Sequence, residues 1–297
     1  MTSPLASNAD LHLHTWFSDG RASPEEILEY AAEHDITTLA ITDHDNTGGY
    51  RAARLIAGSQ GIELIPAMEI TCRWDACAFE PDGDSPKISP DVDLLAYFID
   101  VDLPVFREFE QSLLQDIRER LDMACQRLTA EGYPVSMDEL LELNPRYIGT
   151  LHLIETLVKK KLVDRWKTGA DLLDRIWPEI RPSRLPIEDA ISNIHAVGGV
   201  AVLAHPATIN CNGGWVGAQE LGYLVRYGLD GVEIYHHRLN AAARTHFTSL
   251  ARRLGLLLTG GSDEHGWPEG LTHLGTQPVP PQMITALYKR AYGRRRK

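Results

Sequence analysis

Short apolar runs that end, one after another, in histidines and carboxylates restrict this chain more than any other feature. The runs cover residues 10–14, 38–42, 62–66, 92–98, 200–204, 231–235 and 255–259. Their lengths suit strands, and helical patterns lie between them, so the expected class is α/β with mostly parallel strands. Asp43-His44-Asp45 follow the second run, Glu69 the third, His205-Pro206 the fifth, and Gly260-Gly261-Ser262-Asp263-Glu264-His265 the last. In parallel barrels that rim is where active sites are assembled.

Alternation along residues 10–14 (DLHLH) puts Asp10, His12 and His14 on one strand face. With Asp19, His44, Glu69, His205, Asp263 and His265, the two histidines make eight candidate metal ligands. Imidazole nitrogens mixed with carboxylate oxygens suit zinc, iron or manganese. Eight ligands exceed the needs of one ion, so two or three divalent ions are expected, with carboxylates such as Glu69 bridging. Asp43 and Asp45 read as groups that orient imidazoles. The sequence lacks a G-x-S-x-G elbow, a P-loop and a G-x-G-x-x-G box. Gly260-Gly261 reads as a turn that lets Asp263 approach a metal.

The stretch 104–185 has no convincing strand. Phe106, Phe109, Leu113, Ile117, Leu121, Ala124 and Leu128 recur at helical spacing, and 136–143, 151–162 and 169–177 also read as helices. A helical insert covering the site (104–185) thus interrupts an α/β domain made of 1–103 and 186–297. Ser23, Pro24 and Glu26 predict a capped helix start, and Gly198-Gly199 a helix stop. The loop 73–90, rich in Asp, Pro, Ser and Gly, is a surface loop or a lid.

The formal net charge of -12 argues against non-specific binding to polyanions, although bound cations can reverse the local sign. The basic tail Arg294-Arg295-Arg296-Lys297 reads as a frayed, solvated terminus. Four cysteines without a CxxC pair are expected as reduced thiols. With no run approaching the roughly 20 apolar residues of a membrane span and no signal-peptide pattern, a cytoplasmic protein without membrane association is expected. No protein partner can be inferred.

Five ordered stretches carry a family resemblance: DLHLHTWFSDG (10–20), ITDHD (41–45), PAMEI (66–70), VAVLAHP (200–206) and GSDEHG (261–266). With these the chain resembles the PHP (polymerase and histidinol phosphatase) family of metal-dependent phosphoesterases. Its helical insert is similar to that of the branch acting on nucleoside monophosphates and RNA 5′ ends. The resemblance implies a distorted (β/α)7 barrel holding up to three ions. One would use His12, His14, Glu69 and Asp263. A second would share Glu69 and take His205, and a third would use Asp19, His44 and His265.

Two departures stand out. The second ion's remaining ligand is usually a histidine, and Asp93 occupies that place. Either Asp93 ligates, favouring harder ions such as manganese or iron, or the second site is weak. In the insert an arginine two residues before His152 is replaced by Thr150. His152, His237 or a metal-bound water is expected to protonate the leaving group, Arg146 or Arg184 to supply positive charge, and Trp267 to stack on a base or pack as an ordinary indole. The implied activity is hydrolysis of phosphate monoesters or 5′-nucleotides by metal-bound hydroxide, with trimming of short single-stranded oligonucleotides as an extension. Competing readings are a small-metabolite phosphatase of the histidinol phosphate type and a metal-binding regulatory protein without turnover.

Overall fold

The computed structural model describes residues 8–78, 89–180, 184–211, 213–267 and 270–296. Residues 79–88, the centre of the loop expected as surface or lid, lie outside the described residues. Strands β1 (Ala9–Leu13), β2 (Thr38–Ile41) and β3 (Glu63–Leu64) form a parallel three-stranded sheet. Strands β4 (Ala67–Arg73), β5 (Asp91–Tyr97), β6 (Val200–Leu203), β7 (Gly231–Tyr235) and β8 (Leu257–Gly260) form a second sheet in that order. Single bridges join the sheets at both seams, Leu13 to Glu264 and His44 to Glu69.

Two sequence expectations change here. The run 62–66 pairs only through Glu63 and Leu64, and Pro66 separates it from a strand the pattern missed, β4, which carries Glu69 within it. Strand β5 runs antiparallel to both β4 and β6. It therefore offers the rim its N-terminal end, where Asp93 sits opposite Thr71. Because β4 and β6 then point the same way, the loops that follow them leave at one end of the sheet. Those loops are joined by a disulfide between Cys77 and Cys211. Spacing along the chain could not reveal a pair 134 residues apart, and the expectation of four reduced thiols holds only for Cys72 and Cys125.

Helix α1 (Pro24–Glu33) starts with the capping box read from Ser23 and Glu26. The short helix α2 (Gly48–Ala53) precedes β3, and after β5 helices α3 (Pro104–Ala130), α4 (Met137–Leu143), α5 (Thr150–Lys159) and α6 (Trp166–Ile180) succeed one another without an intervening strand. Ile117, Leu121, Leu128, Leu140, Leu153, Leu157 and Ile176 build a separate apolar core among these four helices. Helices α7 (Ile187–Ala196), α8 (Ala218–Tyr227) and α9 (Ala241–Leu254) alternate with strands β6 to β8, as a parallel βα arrangement requires. No described helix is long and apolar enough to cross a membrane.

The C-terminal helix α10 (Pro281–Arg295) takes in Arg294 and Arg295 of the basic tail, which are docked and not frayed. Arg294 binds Asp230 and the Gly199 carbonyl, and Arg295 donates to the Phe98 carbonyl. Gly260 and Gly261 do not form a turn for metal approach. A Cβ on Gly260 would lie 2.5 Å from the Tyr235 Cβ, and one on Gly261 2.4 Å from the His12 backbone nitrogen, so the pair lets β8 close on β7 and β1.

Candidate metal centre and active site

Strand β1 delivers His12 and His14, both fully buried, to the space where the two sheets meet. Glu69 Oε2 lies 3.3 Å from His12 Nε2, 3.2 Å from His14 Nε2 and 3.5 Å from His44 Nδ1. Asp263 Oδ1 lies 3.3 Å from His12 Nε2 and 3.2 Å from His14 Nε2. Beside this group, His205 Nε2 is 3.1 Å from Glu69 Oε1 and 3.6 Å from Asp93 Oδ2. On the other side Asp19 is 3.3 Å from His265 Nε2, and 3.7 Å from both His14 Nδ1 and His44 Nε2. All nine residues singled out as ligands thus converge in three contiguous clusters, each with its donor atoms within 4.8 Å of one another.

These donor sets fit divalent cations. Two ligands each about 2.1 Å from a tetrahedral ion stand roughly 3.4 Å apart, close to the nitrogen–oxygen separations above. Buried atoms without a well-formed hydrogen bond include His12 Nε2, His14 Nε2, His44 Nδ1, Asp19 Oδ1, Glu69 Oε2 and Asp93 Oδ1. A buried polar atom left unpaired costs on the order of 1–3 kcal/mol, so six at one point call for a common partner. Electrostatics agree. Burial opposes charging His44, yet Glu69 and Asp19 push it up to about 9. Burial likewise opposes charge on His265, which Asp19 and Asp263 raise to about 10. Glu69 is held well below its ordinary range despite burial, by His12 and His44. Such surroundings attract positive charge strongly. Asp45, His205 and Asp263 also have positive φ (55°, 25° and 56°), a conformation rare for side-chain-bearing residues and frequent at functional sites.

A second layer fixes these donors. Glu233 Oε1 is 3.1 Å from His12 Nδ1, and its other oxygen accepts the His205 backbone N–H at 2.8 Å. The Nδ1 proton of His12 therefore belongs to Glu233, and Nε2 is left as a lone-pair donor. His236 Nδ1 accepts the Arg238 backbone N–H at 3.1 Å, so its protonated Nε2 donates to Asp263 Oδ2 at 3.1 Å. The sequence reading missed Glu233 and His236. A glutamate between Val232 and Ile234 in a buried strand was the available signal. Asp43 and Asp45 make no hydrogen bond to an imidazole. Asp43 accepts from the Thr15 backbone and the Thr15 and Ser18 hydroxyls, each at 2.7 Å, and Asp45 accepts from the Thr71 backbone at 3.1 Å. They shape the loops that carry Asp19 and His44.

A cavity of about 430 Å³ opens over the clusters, lined by Asp19, Glu69, Asp93, His205, Asp263 and His265 below and by Tyr147, Thr150, Leu151 and Ile154 of the α4–α5 region above. Arg184 and Arg238 also line it. Arg184 is nearly buried, with Nε 3.3 Å from Asp91. Arg146 is elsewhere, its guanidinium 4.6 Å from the Trp16 ring centroid. His237 lines neither this cavity nor its neighbour; it is exposed, with Nδ1 3.2 Å from the Ser262 carbonyl oxygen. His152 is 5% exposed, and its Nδ1 accepts the Gly149 backbone N–H at 3.1 Å. Its proton therefore sits on Nε2, and burial lowers its pKa. It faces the adjoining cavity with Trp267.

The PHP domain profile matches residues 10–188. The chain is 30% identical over 270 residues to the 5′-3′ exoribonuclease Rnm of Escherichia coli, covering 86% of this chain and 84% of the relative. It is 28% identical to a phosphoribosyl 1,2-cyclic phosphate 1,2-diphosphodiesterase of Eggerthella lenta, covering 90% and 97%. Among solved structures, a protein from Bifidobacterium adolescentis described as a metal-dependent phosphoesterase superposes with a TM-score of 0.75 at 25% identity, over 97% of this chain and 98% of the other. The matched profile, these relatives and the clustered ligands agree: the chain belongs to the PHP domain family and is a metal-dependent phosphoester hydrolase.

Proposed function

We propose that this hydrolase releases inorganic phosphate from nucleoside 5′-phosphates, with 5′-to-3′ trimming of short oligonucleotides as an extension, using two or three manganese, iron or zinc ions. The observation that carries the reading is the set of unpaired buried donors on Glu69, His12, His14, His44, Asp19 and Asp93 beneath a cavity that also presents arginines. In this reading the two sheets act as one distorted (β/α)7 barrel. Residues 1–103 and 186–297 form the catalytic domain, and 104–185 the insert over its mouth.

His12, His14, Glu69 and Asp263 hold one ion, Glu69, His205 and Asp93 a second, and Asp19, His44 and His265, with His14 alongside, a third. Bound divalent ions supply Lewis acidity that ionises water near neutral pH and offsets phosphoryl charge. Arg238 and Arg184 add positive charge to the cavity wall and draw the phosphate toward the carboxylate clusters. His152 contributes through its Nε2 proton, donating a hydrogen bond toward the leaving oxygen. Its Nδ1 is committed to Gly149, so it works as a neutral imidazole and not as a charged acid. Insert residues Tyr147, Leu151 and Ile154 limit bulk water over the reacting group.

The test is phosphate release by manganese-loaded protein from AMP, adenosine 3′,5′-bisphosphate, a short 5′-phosphorylated RNA and histidinol phosphate. Release from the nucleotides at the highest kcat/KM supports the proposal. Preference for histidinol phosphate would move the assignment to small metabolites. Release from none of them, with metal bound, would overturn turnover altogether.

A further inference from the structure

A second cavity, of about 340 Å³, adjoins the first and shares Asp19, Leu151, Arg238 and His265 with it. Its other walls are Arg21, His152, Glu155, Trp166 and Trp267. The two indoles come from opposite sides. Trp267 follows His265 on the strand rim, and Trp166 opens helix α6 of the helical region. Large aromatic side chains are usually buried, yet Trp166 is 41% and Trp267 48% exposed. Trp267 is braced all the same. The Arg21 guanidinium lies 4.2 Å from its ring centroid and is itself ion-paired to Glu155, whose other oxygen meets Lys159 at 2.8 Å. A braced, exposed indole beside a reactive centre is a stacking platform.

We infer that this cleft is the base subsite of the hydrolase, taking the purine or pyrimidine of the leaving nucleoside against Trp267 and Trp166 while its phosphate lies over Asp19 and His265. This rests on the nucleotide reading above and extends it. The size falls in the range of small-molecule sites, and aromatic faces accept any nucleobase because each offers a π-face. His152 lines the same cleft, and in this inference its Nε2 proton meets the 5′ oxygen of a nucleoside seated there. Arg21, stacked and cationic, adds a second planar surface.

The experiment compares AMP with ribose 5-phosphate, which carries the same phosphate and sugar but no base. With manganese-loaded protein, kcat/KM for AMP exceeds that for ribose 5-phosphate by roughly 5- to 150-fold, the worth of one stacked base. Trp267→Leu and Trp166→Leu each pull that ratio toward one, and Trp267→Phe restores most of it. Equilibrium binding of the same two ligands, followed by calorimetry, gives the same order even if turnover is absent. A wild-type ratio near one, or a ratio that neither leucine variant changes, overturns the subsite. Release from neither ligand would instead remove the activity, and the binding ratio would still decide the cleft.

Discussion

Two buried carboxylate centres in this molecule are solved in opposite ways. Asp230, 1% exposed, receives the Ala201 backbone N–H at 3.0 Å, Arg290 at 2.7 Å, Arg294 at 2.9 and 3.0 Å and His195 at 3.0 Å. Every oxygen there is paired by the chain itself, and the result fastens helix α10 to the loops before β6 and β7. Glu69, equally buried, faces only imidazoles and other carboxylates, and its Oε2 has no well-formed hydrogen bond. Burial of a charge costs several kcal/mol unless something offsets it. At Asp230 arginines do so permanently. At Glu69, in the proposed function, the offset is left to exchangeable cations, which is what a hydrolytic centre needs.

The comparison can be broken most directly at Glu69. Glu69→Gln should reduce phosphate release by more than about 100-fold, since even partners of metal ligands are worth 10–100-fold. The metal-free variant should stay folded but melt below wild type, because His12 and His44 favour the charged Glu69 carboxyl; loss of fold would show Glu69 to be structural. Asp230→Asn should do the reverse. It should cost about 3 kcal/mol, the low end for a broken buried ion pair, lowering Tm by roughly 5 °C while activity per folded molecule stays near wild type. Calorimetry and rate assays on one preparation check both.

His236→Leu tests the layer between these extremes. Metal affinity should fall about 10- to 100-fold, measured by competition with a chelator, and His236→Gln should recover part of it by restoring a donor to Asp263. Chelation should itself lower Tm by several degrees, since saturation at 100 Kd contributes about 2.7 kcal/mol per ion. The same shift should appear in the Asp230→Asn background if the centres are independent. The smallest effect is that of pH. Burial would raise the Asp230 carboxyl, but His195 and Arg294 hold it well below its ordinary value. Its stabilisation is therefore present above about pH 3.9 and lost as pH falls below that. Asp230→Asn should flatten this acid limb, visible in thermal melts from pH 5 to 2.5.

The convergence of the candidate ligands was largely legible in the sequence because imidazoles and carboxylates stand at strand ends, and Asp10 to His14 and Gly261 to His265 declare themselves by alternation and position. What stayed hidden needed the third dimension. The direction of β5 cannot be read from seven residues, yet it decides that Asp93 reaches the rim. Glu233 and His236 act through other side chains, so nothing in their spacing marks them. The Cys77–Cys211 link depends on two loops being neighbours. Arg146 lies near His152 in sequence, but it stacks on Trp16 and does not line the cavity over the ligand clusters. Proximity along the chain misled there.

The most direct measurement is anomalous diffraction from crystals grown with added manganese. A peak is predicted among His12 Nε2, His14 Nε2, Glu69 and Asp263, with further density beside His205 and beside Asp19, and none at Asp230. Imidazoles and carboxylates bonded to one another with no ion between them at saturating manganese would contradict the metal centre and the hydrolytic role built on it.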